Sequence, residues 1–415
     1  MTSSPRRIPP PAPRVKLETI IIAGSLIAII TFGVRSTFGL FTGPITEEFG
    51  WGREIFGFAM ALQNLLWGAA QPIAGGLADR YGTARLLSGG AIIYLIGTVL
   101  MAFSDTPGLL YLSGGLLCGV GIASASFAIV MASFSRVVPP EKRSFCFGIA
   151  TAASSMGQFI FAPLGQAFIS AYGWQTALLM LAAFLIVVIP LSYPLRGRND
   201  GKSSFGEVET TLPMGEALTK AFGHSSYILL IFGFFVCGFH VAFISVHMPP
   251  FLVDAGLSPS IAAWSIALVG LFNIVGSFTA GYLGGQHSKR LLLSALYFSR
   301  AVVIAIFILT PITTMSALIF SAVIGLLWLS TIPLTAGLVT VMFGTRYMGL
   351  LYGIVFFSHQ VGSFIGVWLG GRLYDAYGSY DAMWWAGVVL GVFAAIVHLP
   401  IREVKASSFT AHAPA

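Results

Sequence analysis

The chain has 415 residues, of which 56% are hydrophobic and only 9% are charged. Its mean hydropathy of +0.87 excludes an ordinary soluble domain and predicts a polytopic membrane protein. The formal net charge of +7 does not indicate nucleic-acid binding, because the basic residues are scattered through short connections between apolar runs. The three cysteines, Cys118, Cys146 and Cys237, have no paired spacing, so we predict no disulfide framework, metal site or cofactor.

Apolar runs separated by turn and charge signals predict an all-α polytopic membrane protein with twelve transmembrane helices. The predicted spans are 17–41, 54–77, 86–103, 109–135, 144–169, 174–195, 225–247, 260–284, 291–309, 316–343, 350–371 and 382–400. They divide into an N-terminal six-helix bundle at 17–195 and a C-terminal six-helix bundle at 225–400. A proline-rich cytoplasmic tail at 1–16, a cytoplasmic linker at 196–224 and a cytoplasmic tail at 401–415 complete the predicted organisation.

The first predicted span carries one full positive charge, Arg35. An intramembrane arginine is costly unless it faces protein or a water-filled cavity and finds a partner. All 15 Asp and Glu residues fall in predicted tails, loops or helix ends, so none is placed to neutralise Arg35 at mid-membrane. We infer that its counter-charge is the substrate, a small anion. The alternative is a side chain that snorkels to the membrane surface.

The distribution of Lys and Arg predicts the orientation. With the N-terminus inside, nearly all of the 22 basic residues collect on one side, and the opposite side has only Arg53 and Arg372. This bias predicts that both termini and the linker are cytoplasmic. The two halves also share matching residues at a nearly constant offset in sequence, as in Ala171-Tyr172-Gly173 and Ala376-Tyr377-Gly378. Parallel six-helix repeats of this kind place a substrate site near the midplane between the halves.

A glycine-rich loop joins the second and third spans. Its candidate conformational residues are Gly75, Asp79, Arg80, Gly82 and Arg85. Glycines permit close packing and a tight turn, and an acid near a helix end can hold arginines across the seam between the halves. The stretch resembles the loop signature of the major facilitator superfamily, which implies that fold of two pseudo-symmetric bundles. The alternative is a basic loop that only fixes orientation.

Within that superfamily the chain is most similar to the monocarboxylate transporter family and its bacterial relatives. The residues that carry this resemblance are Lys142-Arg143 with Gly148, Ala162-Pro163-Leu164-Gly165, Trp328-Leu329-Ser330 and Gly370-Gly371-Arg372-Leu373-Tyr374-Asp375. The resemblance places the family's substrate- and proton-linked lysine at Arg35. The family's eighth-span aspartate and arginine fall at Asn273 and Ser277, so that charged pair is missing here.

Further substrate-binding candidates lie on later spans. Arg300, the second embedded cation, is either a substrate ligand or a packed arginine bonded to backbone carbonyls or polar side chains. Asn273, Ser330 and Thr331 are polar groups that either face a cavity or join helices. These alternatives remain open from the sequence.

Three embedded histidines, His240, His247 and His359, are the candidates for proton coupling. They can titrate near neutral pH, whereas arginine stays charged and the acids are peripheral. His240 is also a candidate substrate ligand. The alternative for each is a buried, hydrogen-bonded polar group without a role in transport.

We therefore expect a secondary active transporter that moves a small, monocarboxylate-like organic anion by alternating access, with proton coupling left open. The first alternative is a multidrug or cation exporter of the same fold. A non-transporting membrane sensor or an enzyme ranks below it. No intramembrane acid is available for a cationic cargo, and no nucleotide-binding loop or nucleophile and base constellation appears. We expect a monomer in the cytoplasmic (inner) membrane, in contact with lipid and not with nucleic acid.

Overall fold

The described part of the molecule is helical. The computed structural model describes residues 16–137, 140–196, 213–344 and 347–406, and no strand occurs among them. The side chains at 135–137, 140–145 and 147 are not part of the description. Residues 1–15 of the predicted N-terminal tail, the middle of the predicted linker and the end of the predicted C-terminal tail lie outside the described residues.

Several helices in the first half of the chain begin or end beside a glycine, proline or polar residue. The helices of this half are α1 (Leu17–Ser36), α2 (Thr42–Phe49), α3 (Arg53–Tyr81), α4 (Thr83–Ala102), α5 (Pro107–Leu110), α6 (Cys118–Ser124), α7 (Phe127–Val137) and α8 (Pro140–Ser192). A 3-10 turn at Phe38–Phe41 and a π-helical segment at Tyr111–Leu117 connect some of them. Thr106 caps α5, because its side chain accepts a hydrogen bond from the backbone N–H of Leu109.

Gly173 divides α8 into two spans. Its φ of 80° and ψ of 163° are not helical, and glycine adopts this conformation without a Cβ clash. The 53 residues of α8 would extend about 80 Å as one straight helix, far more than a hydrocarbon core of about 30 Å. α8 therefore accounts for the predicted fifth and sixth spans.

The second half continues with a short amphipathic helix and longer apolar helices. They are α9 (Met214–Phe222), α10 (Ser225–Asp254), α11 (Pro259–Gln286), α12 (Lys289–Leu309), α13 (Thr314–Leu327), α14 (Thr331–Phe343), α15 (Met348–Tyr377) and α16 (Asp381–His398). The predicted tenth span is interrupted between α13 and α14, and we call residues 328–330 the break. Pro333 follows in the first turn of α14, where its missing N–H removes no intrahelical hydrogen bond.

Ten segments of the described residues are long and apolar enough to cross a membrane. One of them, Gly148–Leu195, contains the interruption at Gly173 and counts as two crossings. The 29-residue α3 is long enough for another, but it is more polar because it carries Gln63, Asn64 and Gln71. Together these segments account for the twelve predicted spans.

The two halves have separate apolar cores, and two helix pairs make the main contact between them. One core includes Val34 and Phe56, and the other includes Phe234 and Trp384. α3 packs against α15, and α8 packs against α11. A Cβ at Gly270 of α11 would lie only 2.7 Å from the carbonyl oxygen of Ser155 in α8. Glycine thus permits close approach of the backbones where the halves touch.

Candidate functional site

A cavity of about 270 Å³ lies between the two halves. In the first half its walls come from α1, α3, the start of α7 and α8, and in the second half from α10, α11, α15 and the break. A space of this size suits a small molecule. The cavity lies between the halves, as does the site that the internal repeat predicts.

Arg35 lines this cavity from the last turn of α1, where the carbonyl end of the helix favours a cation. Its Nη2 donates a hydrogen bond of 2.6 Å to Asn64 Oδ1, and its guanidinium lies 4.8 Å from the centroid of the Trp67 ring. Its Nε is buried without a hydrogen-bond partner. Among the described residues no Asp or Glu forms an ion pair with Arg35. The site therefore offers a positive charge to an anion.

Polar side chains of α3 extend from Arg35 along the cavity. Asn64 Nδ2 donates to the carbonyl of Met60 at 2.8 Å, which orients Oδ1 toward Arg35. Trp67 Nε1 donates to Gln71 Oε1 at 3.0 Å, and Gln71 Nε2 donates to Ser126 Oγ at 3.2 Å. These bonds hold the Trp67 ring in place beneath the guanidinium.

Of the three candidate histidines, His359 lines the cavity. Its ring lies parallel to that of Phe356, with the centroids 5.8 Å apart, and its Nδ1 is 3.1 Å from Gln360 Oε1. His240 lies outside the lining, and its Nε2 is 2.8 Å from the Gly387 carbonyl oxygen. His247 also lies outside the lining, between Tyr380 and the Val367 carbonyl.

Arg300 lies behind the cavity wall and does not line it. Its side chain is only 1% exposed. Its Nε and Nη2 donate to the carbonyl of Leu327, and Nη2 also donates to the carbonyl of Trp328. Its Nη1 donates to Cys237 Sγ at 3.4 Å. The guanidinium thus binds the carbonyl groups freed where α13 ends.

The other polar candidates surround the break. Asn273 Oδ1 accepts the backbone N–H of Leu329 at 2.9 Å, and its Nδ2 donates to Ser155 Oγ in the other half at 2.8 Å. Ser330 donates to the Leu326 carbonyl, and Thr331 Oγ1 is 3.2 Å from Cys237 Sγ. None of these three side chains is among the described residues that line the cavity. They join helices around the segment that carries Trp328 and Leu329 into the lining.

The glycine-rich loop lies at one end of the two bundles. α3 ends at Tyr81, and Gly82 turns the chain into α4 with a φ of 92°. Asp79, Arg80 and Arg85 are exposed there. A Cβ at Gly75 would meet nothing within 4 Å, so this glycine is not in close contact with another helix.

The opposite end of the halves is closed by charged residues. Arg53 donates two hydrogen bonds, of 2.6 and 2.7 Å, to the carboxylate of Asp254. Asp375 accepts the backbone N–H groups of Arg53 and Glu54, both at 2.8 Å, and so caps the N-terminus of α3 from the other half. Arg372 pairs with Glu54 at 3.1 Å. We call Arg53, Glu54, Asp254, Arg372 and Asp375 the charged latch.

Aromatic rings form much of the cavity lining, a feature that periodicity alone did not indicate. The first half supplies Phe32, Phe38, Trp67 and Phe127. The second half supplies Phe234, Trp328, Tyr352 and Phe356. Aromatic residues are common on all faces of membrane helices, so only the packing distinguishes these from lipid-facing neighbours such as Phe357, which is 40% exposed.

The chain is similar to known membrane transporters over most of its length. Residues 24–367 match the family model of the Major Facilitator Superfamily. Monocarboxylate transporter 13 of Rattus norvegicus is 26% identical over 389 residues, which cover 90% of this chain and 85% of the relative. The MFS-type transporter YcxA of Bacillus subtilis is 25% identical over 419 residues, which cover 97% and 99%.

Two solved structures share the architecture. A bacterial homologue of the human lysosomal transporter Spinster, in an inward-facing and occupied conformation, aligns with a TM-score of 0.73 at 19% identity, covering 92% of this chain and 96% of that one. A D-xylose-proton symporter aligns with a TM-score of 0.71 at 14% identity over the same shares. At these identities the likeness concerns the fold alone.

Proposed function

The chain belongs to the major facilitator superfamily, and from that premise we propose that it moves a small organic anion of the monocarboxylate class across the cytoplasmic membrane. Members of the family are secondary transporters and not enzymes, so a small-molecule substrate and a multi-pass membrane protein follow from membership. That the substrate is an anion goes beyond what family membership implies.

The uncompensated charge of Arg35 carries this proposal. Burying a cation without a counter-ion is costly, and a carboxylate that enters the cavity removes that cost while it is bound. The guanidinium donates from several N–H groups in one plane, which matches the two oxygens of a carboxylate. The names of relatives such as monocarboxylate transporter 13 agree with this chemistry. A cation exporter fits less well, because no Asp or Glu is found among the described residues that line the cavity.

We assign the structure to an inward-facing state of an alternating-access cycle. The charged latch closes one end of the halves. At the other end, Asp79, Arg80 and Arg85 of the glycine-rich loop are exposed. The bias of Lys and Arg in the sequence assigns this open end to the cytoplasm, together with both termini.

If transport is coupled to protons, His359 is the proposed carrier. It lines the cavity, whereas His240 and His247 hydrogen-bond within the second half outside the lining. As the cavity opens to each side of the membrane in turn, a histidine beside the substrate can bind a proton from one solution and release it to the other. A monomer suffices for this cycle, because the cavity is built within one chain.

Uptake into proteoliposomes tests the proposal. We expect the purified full chain to accumulate labelled propionate or pyruvate, and Arg35→Gln to reduce the initial rate by about a hundredfold, as for loss of a charged partner worth about 3 kcal/mol. Arg35→Lys should retain part of the activity. Arg196→Gln, the same change at an exposed arginine, should have no effect. Wild-type rates in Arg35→Gln, or uptake of organic cations instead of carboxylates, would refute the proposal.

A further inference from the structure

The cavity is far more apolar than a site for a small polar acid needs to be. Trp67, Trp328 and Phe356 face the space beside Arg35, and the rings of Trp67 and Phe356 meet edge to face with centroids 5.6 Å apart. These rings belong to both halves, so an occupant that fills the cavity contacts aromatic surface on both sides. Arg35 is the one formally charged side chain among the described lining residues.

Most of the other polar groups of the lining are already engaged within the protein. Gln158 Nε2 donates to the Ile266 carbonyl at 2.9 Å. The hydroxyls of Ser36, Ser245 and Ser363 donate to backbone carbonyls of their own or neighbouring helices. A substrate rich in hydroxyl groups would lose hydrogen bonds to water without regaining them here, which opposes its binding.

We propose that the substrate is an aromatic monocarboxylate without an amino group, a deepening that rests on the proposed function. Its carboxylate binds Arg35, whose Nε lacks a partner. Its ring lies in the cavity against the Trp67 and Phe356 rings and gains apolar burial and aromatic contacts. A zwitterionic amino acid is rejected, because no described carboxylate in the lining pairs with its ammonium group.

Four compounds test the parts of this inference separately, because three of them differ from phenylpropionate by one group each. Phenylpropionate has the ring and the charge, propionate lacks the ring, phenylpropionamide lacks the charge, and phenylalanine adds the ammonium. Titration calorimetry on the purified full chain should give phenylpropionate the lowest Kd. We expect each of the other three to bind at least about tenfold more weakly, since one lost group of this kind changes the affinity by that order.

Adjacent phenylalanines on α15 provide a matched pair of variants. Phe356 lines the cavity, and Phe357 is outside the lining. Phe356→Leu should weaken phenylpropionate binding about fivefold and leave propionate unchanged, because only the ring contact is reduced. Phe357→Leu should change neither. Thermal unfolding of both variants checks that each is folded.

The outcomes separate this inference from the proposed function. If propionate is taken up in an Arg35-dependent manner and the ring adds no affinity, the aromatic class is refuted while the anion transporter stands. Equal binding of phenylalanine and phenylpropionate refutes the exclusion of the amino group. If no carboxylate binds or is transported, the proposed function fails and this inference fails with it.

Discussion

Arg35 and Arg300 are both embedded arginines, but their surroundings give them different roles. Arg300 is almost fully buried, and its donors are directed at two backbone carbonyls and one thiol. Arg35 has one amide partner, two aromatic rings, Phe32 and Trp67, and an open cavity beside it. The packed-arginine alternative therefore accounts for Arg300, and Arg35 is the cation that remains available to a ligand. Under the proposed function, the same residue type supports the structure in one half and binds the substrate in the other.

Replacing Arg300 should destabilise the protein, because Arg300 binds backbone carbonyls at the break. Arg300→Met leaves the carbonyls of Leu327 and Trp328 without partners, which should lower the free energy of unfolding by about 3 kcal/mol. Arg300→Lys should cost less, since a lysine can still donate to one of them. Thermal unfolding in detergent measures both effects. Unchanged stability of Arg300→Met would show that these bonds do not hold the break.

The break and the charged latch both take part in contacts between the halves. Asn273 binds the break through Leu329 and the opposite half through Ser155. At the far end, the latch joins the start of α3 to the ends of α10 and α15. Opening the cavity toward the latch side requires the separation of these charged groups.

Removing the latch pair should expose the cavity from the latch side. Asp254→Asn removes the negative charge and one of the two acceptors of Arg53, so a shift of about 1.4 kcal/mol toward the outward-open state would raise its population about tenfold. Labelling of Ser245→Cys, a cavity position, by an impermeant thiol reagent added from the latch side measures this population in a background without the native cysteines. Glu216→Gln, which breaks the surface pair with Lys220, is the control. An unchanged labelling rate in Asp254→Asn would contradict the role of the latch.

Glu403 anchors the last described segment on the start of α12. Its carboxylate accepts Ser288 Oγ at 2.5 Å and the backbone N–H of Arg290 at 2.8 Å. Burial opposes ionisation, but these hydrogen bonds outweigh it, so the pKa of Glu403 lies below its ordinary value. The charged form is thus the one that the folded protein prefers.

The stability difference between wild type and Glu403→Gln should depend on pH. Because the folded-state pKa is lowered, the contribution of Glu403 is complete above the ordinary pKa of glutamate and is lost as the pH falls through the folded-state value. Thermal unfolding between neutral and acidic pH should therefore show a difference that vanishes at the acidic end. A difference that is constant with pH would contradict this account.

At the scale of the whole molecule, the sequence predictions of fold and family are confirmed. They succeed because the length and hydropathy of each segment decide whether it spans a membrane, and both can be read from that segment alone. The break was not predicted, since residues 328–330 lie within a continuous apolar run. Periodicity placed His240 and His247 on one face but could not identify the neighbours of that face. Which residues line a cavity depends on how the helices pack. Phe356 and Phe357 are adjacent residues of the same type, yet only Phe356 lines the cavity, and the sequence does not distinguish them.

The pairing of Arg35 with a substrate carboxylate is tested most directly by combining a change in the ligand with a change in the protein. Calorimetry on wild type and Arg35→Gln, each with phenylpropionate and phenylpropionamide, gives the preference for the charged ligand in each protein. We predict that wild type prefers the acid by at least about tenfold and that Arg35→Gln has almost no preference. An Arg35→Gln protein that keeps the full preference for the acid would contradict the account, because the carboxylate would then bind elsewhere.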